Sequence, residues 1–233
     1  MSRAGGRRWL RWLILGPLLL VLLVQLYFFL QICWWVRFNP GMTSMMQLQL
    51  GALREKKPNA TLEQQWVPYS RISANLKRAV IASEDANFNE HDGVDWEALA
   101  KAYEKNNRKH KVVGGGSTIT QQLAKNLFLS GSRNYLRKGQ ELAIAYMLES
   151  VMNKERILEI YLNVVEFGRG VFGAEAAARH YFGTSAANLN AAQGARLAVM
   201  LPNPRFYDQH RDTNYLARRT SLIMNRMNSA ELP

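Results

Sequence analysis

The chain has 233 residues, which leaves room for one membrane anchor and one medium-sized domain with a core of its own. Lys and Arg number 30 against 18 Asp and Glu, a net charge of +12, so the natural partner is an anion: nucleic acid, anionic lipid or an acidic substrate. A single cysteine, Cys33, excludes an intrachain disulfide and a cysteine-built metal site.

Arg3, Arg7, Arg8 and Arg11 open the chain with no acid among them; removing these four leaves +8, so the remainder is basic on its own account. From Leu13 to Val36, 24 residues carry no charge. As a helix they would be about 36 Å long, enough to span a bilayer with some tilt. The run leaves through Cys33-Trp34-Trp35-Val36-Arg37, an interfacial aromatic belt rather than a small-residue cleavage site. Pro17 and Gln25 are tolerable inside a membrane helix. The reading is a basic cytoplasmic tail (1–12), an uncleaved single-pass anchor (13–36), and everything after Arg37 outside the cytoplasm. That placement, and the lack of a recognised nucleic-acid motif, removes nucleic acid from the partners.

Residues 37–65 lack sustained periodicity and contain Gly41, Gly51 and Pro58; they read as a juxtamembrane connector of mixed structure. From Trp66 to the end (66–233) the pattern is helical nearly throughout. Ile72, Leu76, Ala79 and Val80 mark one amphipathic helix, and Asp95 caps a second running through Tyr103. Gly114 to Gly116 precede a helix over Thr118–Leu129, followed by helices over Leu136–Met152 and Glu155–Leu162. Ala174–Tyr181 is stopped by Gly183, Leu189–Leu201 is ended by Pro202 and Pro204, and a last segment carries Leu216, Ile223, Met224 and Met227. Alternating strand patterns are scarce, so the domain is expected to be all-α.

Three polar blocks interrupt this apolar pattern. In Glu84-Asp85-Ala86-Asn87-Phe88-Asn89-Glu90-His91-Asp92-Gly93, Glu84 sits just past a helix, where its side chain can face a cleft. A general base at neutral pH needs a carboxylate whose pKa is raised by burial or a like charge, and Phe88, Ile81 and Asp85 supply both influences. The plainer explanation is a solvated loop acid, with His91 an ordinary hydrogen-bonding residue. In the second block, glycines followed by Ser117 and Thr118 at a helix start would expose unpaired N–H groups to an anion. Thr118, Gln121, Gln122 and Lys125 share a face of that helix, while Ile119, Leu123 and Leu127 turn inward; the plainer explanation is a glycine hinge and a solvated polar face. No nucleotide P-loop is present, because the spacing to Lys-Ser/Thr is wrong. In the third block Arg137 and Lys138 lie one turn before Glu141. Intrahelical ion pairing accounts for them at about 0.2–0.5 kcal/mol a pair. Functionally, Lys125, Arg137 and Lys138 would neutralise a leaving pyrophosphate while Glu141 orients them or holds a divalent ion.

Taken together and in order, these blocks resemble the family-51 glycosyltransferases, the peptidoglycan glycosyltransferases, and most closely their membrane-anchored monofunctional members. The patterns E-D-x-x-F-x-x-H-x-G, G-G-S-T-I-T-Q-Q followed by L-A-K-N, R-K-x-x-E and K-x-x-I-L-E-x-Y-L-N all occur, the last as Lys154 to Asn163. Phe167-Gly168 through Ala176-Ala177 to Tyr181-Phe182-Gly183, then Leu201-Pro202-Asn203-Pro204, extend the likeness over residues 66 to 207. One departure is Gln193, where many members carry Glu.

The resemblance implies a lysozyme-like, two-lobed helical domain behind the anchor, with a head and a membrane-dipping jaw. It implies a lipid-linked glycan donor on polyprenyl pyrophosphate and lipid II as acceptor. Glu84 would take the proton from the acceptor's 4-hydroxyl and Glu141 would assist at the pyrophosphate. Lys125, Arg137 and Lys138 would stabilise the leaving group, and Ser117, Gln121, Gln122 and Asn126 would line the donor site. Asp85, Phe88, His91 and Asn163 would support the site. An α linkage exchanged for a β-1,4 one makes the displacement inverting and single-step. No cofactor is obligatory, a divalent cation (Mg or Mn) near Glu141 being the one candidate.

The jaw is expected over Val112 to Leu136, with Phe128 against lipid headgroups or in the core. No Ser-x-x-Lys or Lys-Thr-Gly occurs, so cross-linking is expected from separate transpeptidases, alongside division or elongation proteins. The location expected is the inner membrane, with the catalytic domain periplasmic. Two alternatives stay open: a lysozyme-like hydrolase of glycan strands, which has no need of the cations, and a non-catalytic scaffold that binds lipid II.

Overall fold

The computed structural model describes residues 5–109, 116–129 and 134–233, which fall into two compact units, 1–39 and 40–233. In the first, the uncharged run forms helix α1, Gly5–Trp35. Its segment Leu15–Trp35 is long and apolar enough to cross a membrane. Trp34 stacks on Phe38 where the helix ends, with ring centroids 3.9 Å apart.

The second unit is mainly helical and lysozyme-like, as expected. The connector turns out to be built into it. Thr43 caps α2 (Ser44–Arg54) by accepting from the Met46 amide, and Met46 is buried. Residues Glu63–Gln64 form a short strand, β1, parallel to β3 (Val171–Phe172), which pairs antiparallel with β2 (Glu166–Gly168). The all-α expectation therefore misses a small three-stranded sheet, its strands too short to show an alternating pattern.

The helices follow the sequence pattern closely. Ser73 caps α3 (Ala74–Glu84), and Asp95 caps α4 (Trp96–Lys109) by accepting from the Ala98 amide at 2.7 Å. Then come α5 (Ile119–Phe128), α6 (Tyr135–Val151) and α7 (Lys154–Val164), with Thr118, Asn134 and Asn153 as their caps. Beyond the sheet lie α8 (Ala174–Phe182), α9 (Ala191–Met200), α10 (Pro204–Gln209) and α11 (Asn214–Arg226). Helix α10 is unanticipated: Pro204 does not only end what precedes it but occupies the first turn of a new helix, where its missing N–H costs nothing.

Two helix packings hold the domain. One is α3 on α9 on α11, closed by Leu76, Val80, Leu197, Ala198, Leu216 and Ile223. Gly194 lets α3 and α9 touch: a Cβ there would stand 2.9 Å from the Leu76 backbone nitrogen. The other is α5 against α6 and α7, with α2 also packed on α5, so the polar face of α5 is held between elements far apart in sequence. Gln193, the departure from the family pattern, closes a capping box with Asn190 and is half-buried.

Candidate active site

Glu84 is the last residue of α3 rather than a loop residue, and Asp85 is what fixes its direction. The buried Asp85 carboxylate accepts from the Ile119 amide at 3.0 Å through Oδ2 and meets His91 Nε2 at 2.9 Å through Oδ1. The end of α3 is thereby tied to the start of α5 and to the following loop. Phe88 is fully buried beneath that loop. Lys154 on α7 completes the tie, donating to the His91 carbonyl at 2.5 Å and to Glu149 at 2.7 Å. Gly93 turns the loop back at φ +86°, a conformation that favours glycine, and its carbonyl accepts from Thr118 Oγ1 at 2.6 Å.

So placed, Glu84 meets the polar face of α5. Gln122 Nε2 donates to its Oε2 at 2.8 Å, and Ser83 Oγ lies 3.4 Å from its Oε1. Behind Gln122, the fully buried Tyr161 hydroxyl donates to Gln122 Oε1 at 3.0 Å, which fixes the amide so that its NH₂ faces Glu84. Burial holds the Tyr161 phenol well above its ordinary pKa, helped by the charges of Glu84 and Asp85, so it remains a donor. Burial likewise raises the Glu84 carboxyl above the usual carboxylate range. The hydrogen bonds from Gln122 and Ser83 work against that rise, the Asp85 charge adds to it, and the Lys125 charge opposes it. No cation pairs directly with Glu84 among the described residues.

Glu141 is treated in the opposite way. It is buried, and both carboxylate oxygens are taken: Oε2 by Arg137 Nη1 at 3.0 Å and Oε1 by Lys138 Nζ. Lys138 also donates to Ser117 Oγ at 3.3 Å, which bridges the third block to the second. Lys125 lies within the influence of this cluster. Burial lowers its pKa, Glu141 raises it, Arg137 and Lys138 lower it, and Glu84 raises it. The structure thus gathers Glu84, Gln122, Lys125, Ser117, Arg137, Lys138 and Glu141 about one helix.

Two expectations change. The start of α5 is no free anion cradle. Its Ile119 amide is bound by Asp85, and the Gln121 amide by Thr118 Oγ1 at 3.2 Å. Asp85 is itself the anion that the helix end holds, and Gly114 and Gly115 lie outside the described residues. Gln121, expected in the donor site, is buried and spends its side chain in the capping box, accepting from the Thr118 amide. Asn163, expected to support the site, is internal: it accepts from the Val67 amide and donates to the Val67 and Glu159 carbonyls, tying the segment at Val67 to α7. Of the expected jaw, Val112 to Leu136, residues 112–115 and 130–133 are outside the described residues. Phe128, half-buried, lies beside α2 at a groove also lined by Leu48 and Ala52.

A divalent ion near Glu141 finds no protein ligand set. Both oxygens of that carboxylate are engaged by cations, and no cluster of three or more metal-binding side chains occurs among the described residues. Beside Gln122, Lys125 and Asn126, a cavity of about 350 Å³ opens, its far wall made by Glu166, Asn203 and Arg205. A second, of about 180 Å³, lies between Glu84 and Ser117. Tyr161, Glu166 and Arg205 escaped the sequence reading. Tyr161 stands inside a quoted motif but has no charge to flag it, and Glu166 and Arg205 gain meaning only from each other.

A base-like carboxylate facing a bank of cations in a lysozyme-like helical domain defines a glycosyltransferase. The family description "Transglycosylase" matches residues 51–228, and the chain belongs to that family. It is 73% identical over 227 residues to a protein of Janthinobacterium sp. (strain Marseille) named biosynthetic peptidoglycan transglycosylase, covering 97% of this chain and 98% of that one. Proteins of the same name from Herminiimonas arsenicoxydans and Bordetella avium (strain 197N) are 72% identical over 227 residues and 56% identical over 240, the last spanning both chains fully.

Proposed function

We propose that this glycosyltransferase builds peptidoglycan strands from lipid II, with Glu84 as the general base. The observation that carries the reading is the opposed treatment of its two acids. Glu84 is left with neutral partners and a raised pKa, and Glu141 is spent on holding two cations. Glu84 Oε1, whose one hydrogen bond among the described residues is the long one from Ser83, is the oxygen offered to the acceptor.

In the reaction, the acceptor's 4-hydroxyl oxygen attacks the donor's anomeric carbon as its proton passes to Glu84. The bond from that carbon to the pyrophosphate oxygen breaks on the opposite face, giving inversion and no covalent sugar–enzyme bond. The departing pyrophosphate gains charge as it leaves. Lys125, Arg137 and Lys138 are fixed in advance to receive it, and Glu141 keeps the last two from straying. Ser117 and Asn126 sit where the donor passes. No step requires a metal ion.

Both substrates carry lipid tails that stay in the bilayer, so α1 as an anchor raises the effective concentration of enzyme at its substrate. The basic N-terminus stays on the cytoplasmic side of the inner membrane, and the domain works on the other, beside separate transpeptidases that cross-link its product. Hydrolysis of neutral glycan links would give the three cations no task.

The test is polymerisation of labelled lipid II in detergent by the wild type and by Glu84→Gln. Long glycan from the first and none from the second is expected. An active Glu84→Gln would remove Glu84 as the base, and retention of lipid II without polymer from either protein would replace the enzyme with a scaffold.

A further inference from the structure

The anchor carries a polar pair that the transfer chemistry leaves unused. On α1, Gln31 Nε2 donates to the Tyr27 hydroxyl one turn away at 2.8 Å, within the segment Leu15–Trp35 that is apolar enough to cross a membrane. Counted from Trp35 at the aromatic belt, Gln31 lies about 6 Å and Tyr27 about 12 Å inside the apolar layer. Their mutual bond satisfies only part of what the two side chains bring. The Tyr27 O–H, the second amide hydrogen of Gln31 and Gln31 Oε1 make no hydrogen bond to the described residues. Water satisfies such groups at a protein surface, and hydrocarbon does not. The pair is also part of a longer pattern. Leu20, Val24, Tyr27, Gln31 and Trp34 follow one another at alternating steps of four and three, a heptad seam along one face of the helix. Leu20, Val24, Tyr27 and Trp34 are exposed along it.

We infer that this seam pairs with the same seam of a second copy of the chain, so that two anchors cross the bilayer side by side. The donors and the acceptor decide the occupant. Two copies inserted in the same direction lie parallel, and a two-fold axis between them sets Gln31 against Gln31. The Tyr27 hydroxyl and the second amide hydrogen of Gln31 in each copy then donate to Gln31 Oε1 of the other, whose two lone pairs receive them. The set is complete with nothing added, and interhelical hydrogen bonds of this kind hold membrane helices together. The seven-residue repeat keeps the two seams in contact along the left-handed crossing common in membranes. Leu20 and Val24 pack on one side of the polar layer and Trp34 on the other. The inference rests on α1 being a membrane anchor and is independent of the reaction that the domain performs.

The experiment reconstitutes the full chain in vesicles of phosphatidylethanolamine and phosphatidylglycerol. Energy transfer between donor-labelled and acceptor-labelled copies is followed as the lipid-to-protein ratio rises. The wild type is expected to associate, and Tyr27→Phe combined with Gln31→Leu to weaken association about tenfold. Leu22→Ala, on the opposite face of the helix, should leave it unchanged. In a Cys33→Ala background, single cysteines placed along the anchor should cross-link between copies at Leu20, Val24, Tyr27 and Gln31 and not at Leu22 or Leu26. A wild type that stays monomeric, association that survives the double substitution, or cross-links without a seven-residue period overturns the pairing. Release of the chain from the vesicles by alkaline carbonate removes the anchor and the pairing together. A wild type that pairs but makes no polymer from lipid II leaves the pairing standing and removes the transfer reading instead.

Discussion

Lys125 feels both Glu84 and Glu141, yet the surroundings of the two carboxylates are opposite. Glu84 ends a helix, is contacted by an amide and a hydroxyl, and keeps one oxygen nearly free. Glu141 lies inside a helix one turn after two cations and has no oxygen to spare. The same side chain is a proton acceptor in the first setting and a clamp in the second. What separates them is the number of charges within reach and the depth of burial, Glu141 being buried and Glu84 half-buried at a cavity wall. A clamp of this kind is more than surface ion pairing, because Glu141 is 4% exposed and Arg137 Nε is buried without a partner. Removing its anion would strand two cations.

That contrast is best broken by treating both acids alike. Glu84→Gln is expected to cut lipid II polymerisation about 10³-fold, within the range for losing a general base, without loss of stability. Glu141→Gln should cost less activity, about 10²-fold, because the cations remain although poorly held. It should also lower stability, by about 1–3 kcal/mol, which Glu84→Gln should not. Steady-state rates paired with thermal unfolding check both; equal behaviour of the two variants would erase the distinction between base and clamp.

A smaller effect sharpens the same contrast. Tyr161→Phe removes the donor that fixes Gln122 and leaves the amide free to turn away from Glu84, so polymerisation should fall about tenfold. Gln122→Ala removes a hydrogen bond that favours the charged form of Glu84 and therefore lets its pKa rise further. The acid limb of kcat/KM against pH should shift to higher pH in this variant, with the other limb unmoved. A shift toward acid, or none, would show that Gln122 does not govern Glu84.

The sequence carried most of this arrangement where the reasons are local. The cap at Asp95, the inward face of α5 and the i, i+3 and i, i+4 spacing of Arg137 and Lys138 to Glu141 are all legible within a few residues. Where distant residues compete for a group, local reading fails. The amides of α5 looked free until Asp85, 34 residues upstream, was found on one of them. Adjacent glutamines are indistinguishable as letters, yet Gln121 closes a capping box while Gln122 reaches Glu84. Glu166 and Arg205, 39 residues apart, meet only because α10 packs on β2. Helix α2 lacked a signal because only Met46 among its residues is fully buried.

The smallest effect concerns stability, and its sign is fixed by the direction of the Glu84 shift. Burial raises the folded-state pKa above that of the unfolded chain. Between the two values the folded protein holds the proton and the unfolded chain has lost it, so stability falls as pH rises through that window. Above the window the fold carries the full cost of a charged, partly desolvated carboxylate; below the ordinary carboxylate value it carries none. Glu84→Gln is neutral at every pH and escapes this cost. Its Tm should therefore exceed that of the wild type near neutral pH, by about 2–4 °C for each kcal/mol recovered, and should converge on it in acid. A Tm difference independent of pH would trace the gain to packing. A wild type more stable than the variant at neutral pH would mean that Glu84 is held as a structural anion, as Glu141 is, and that the base lies elsewhere.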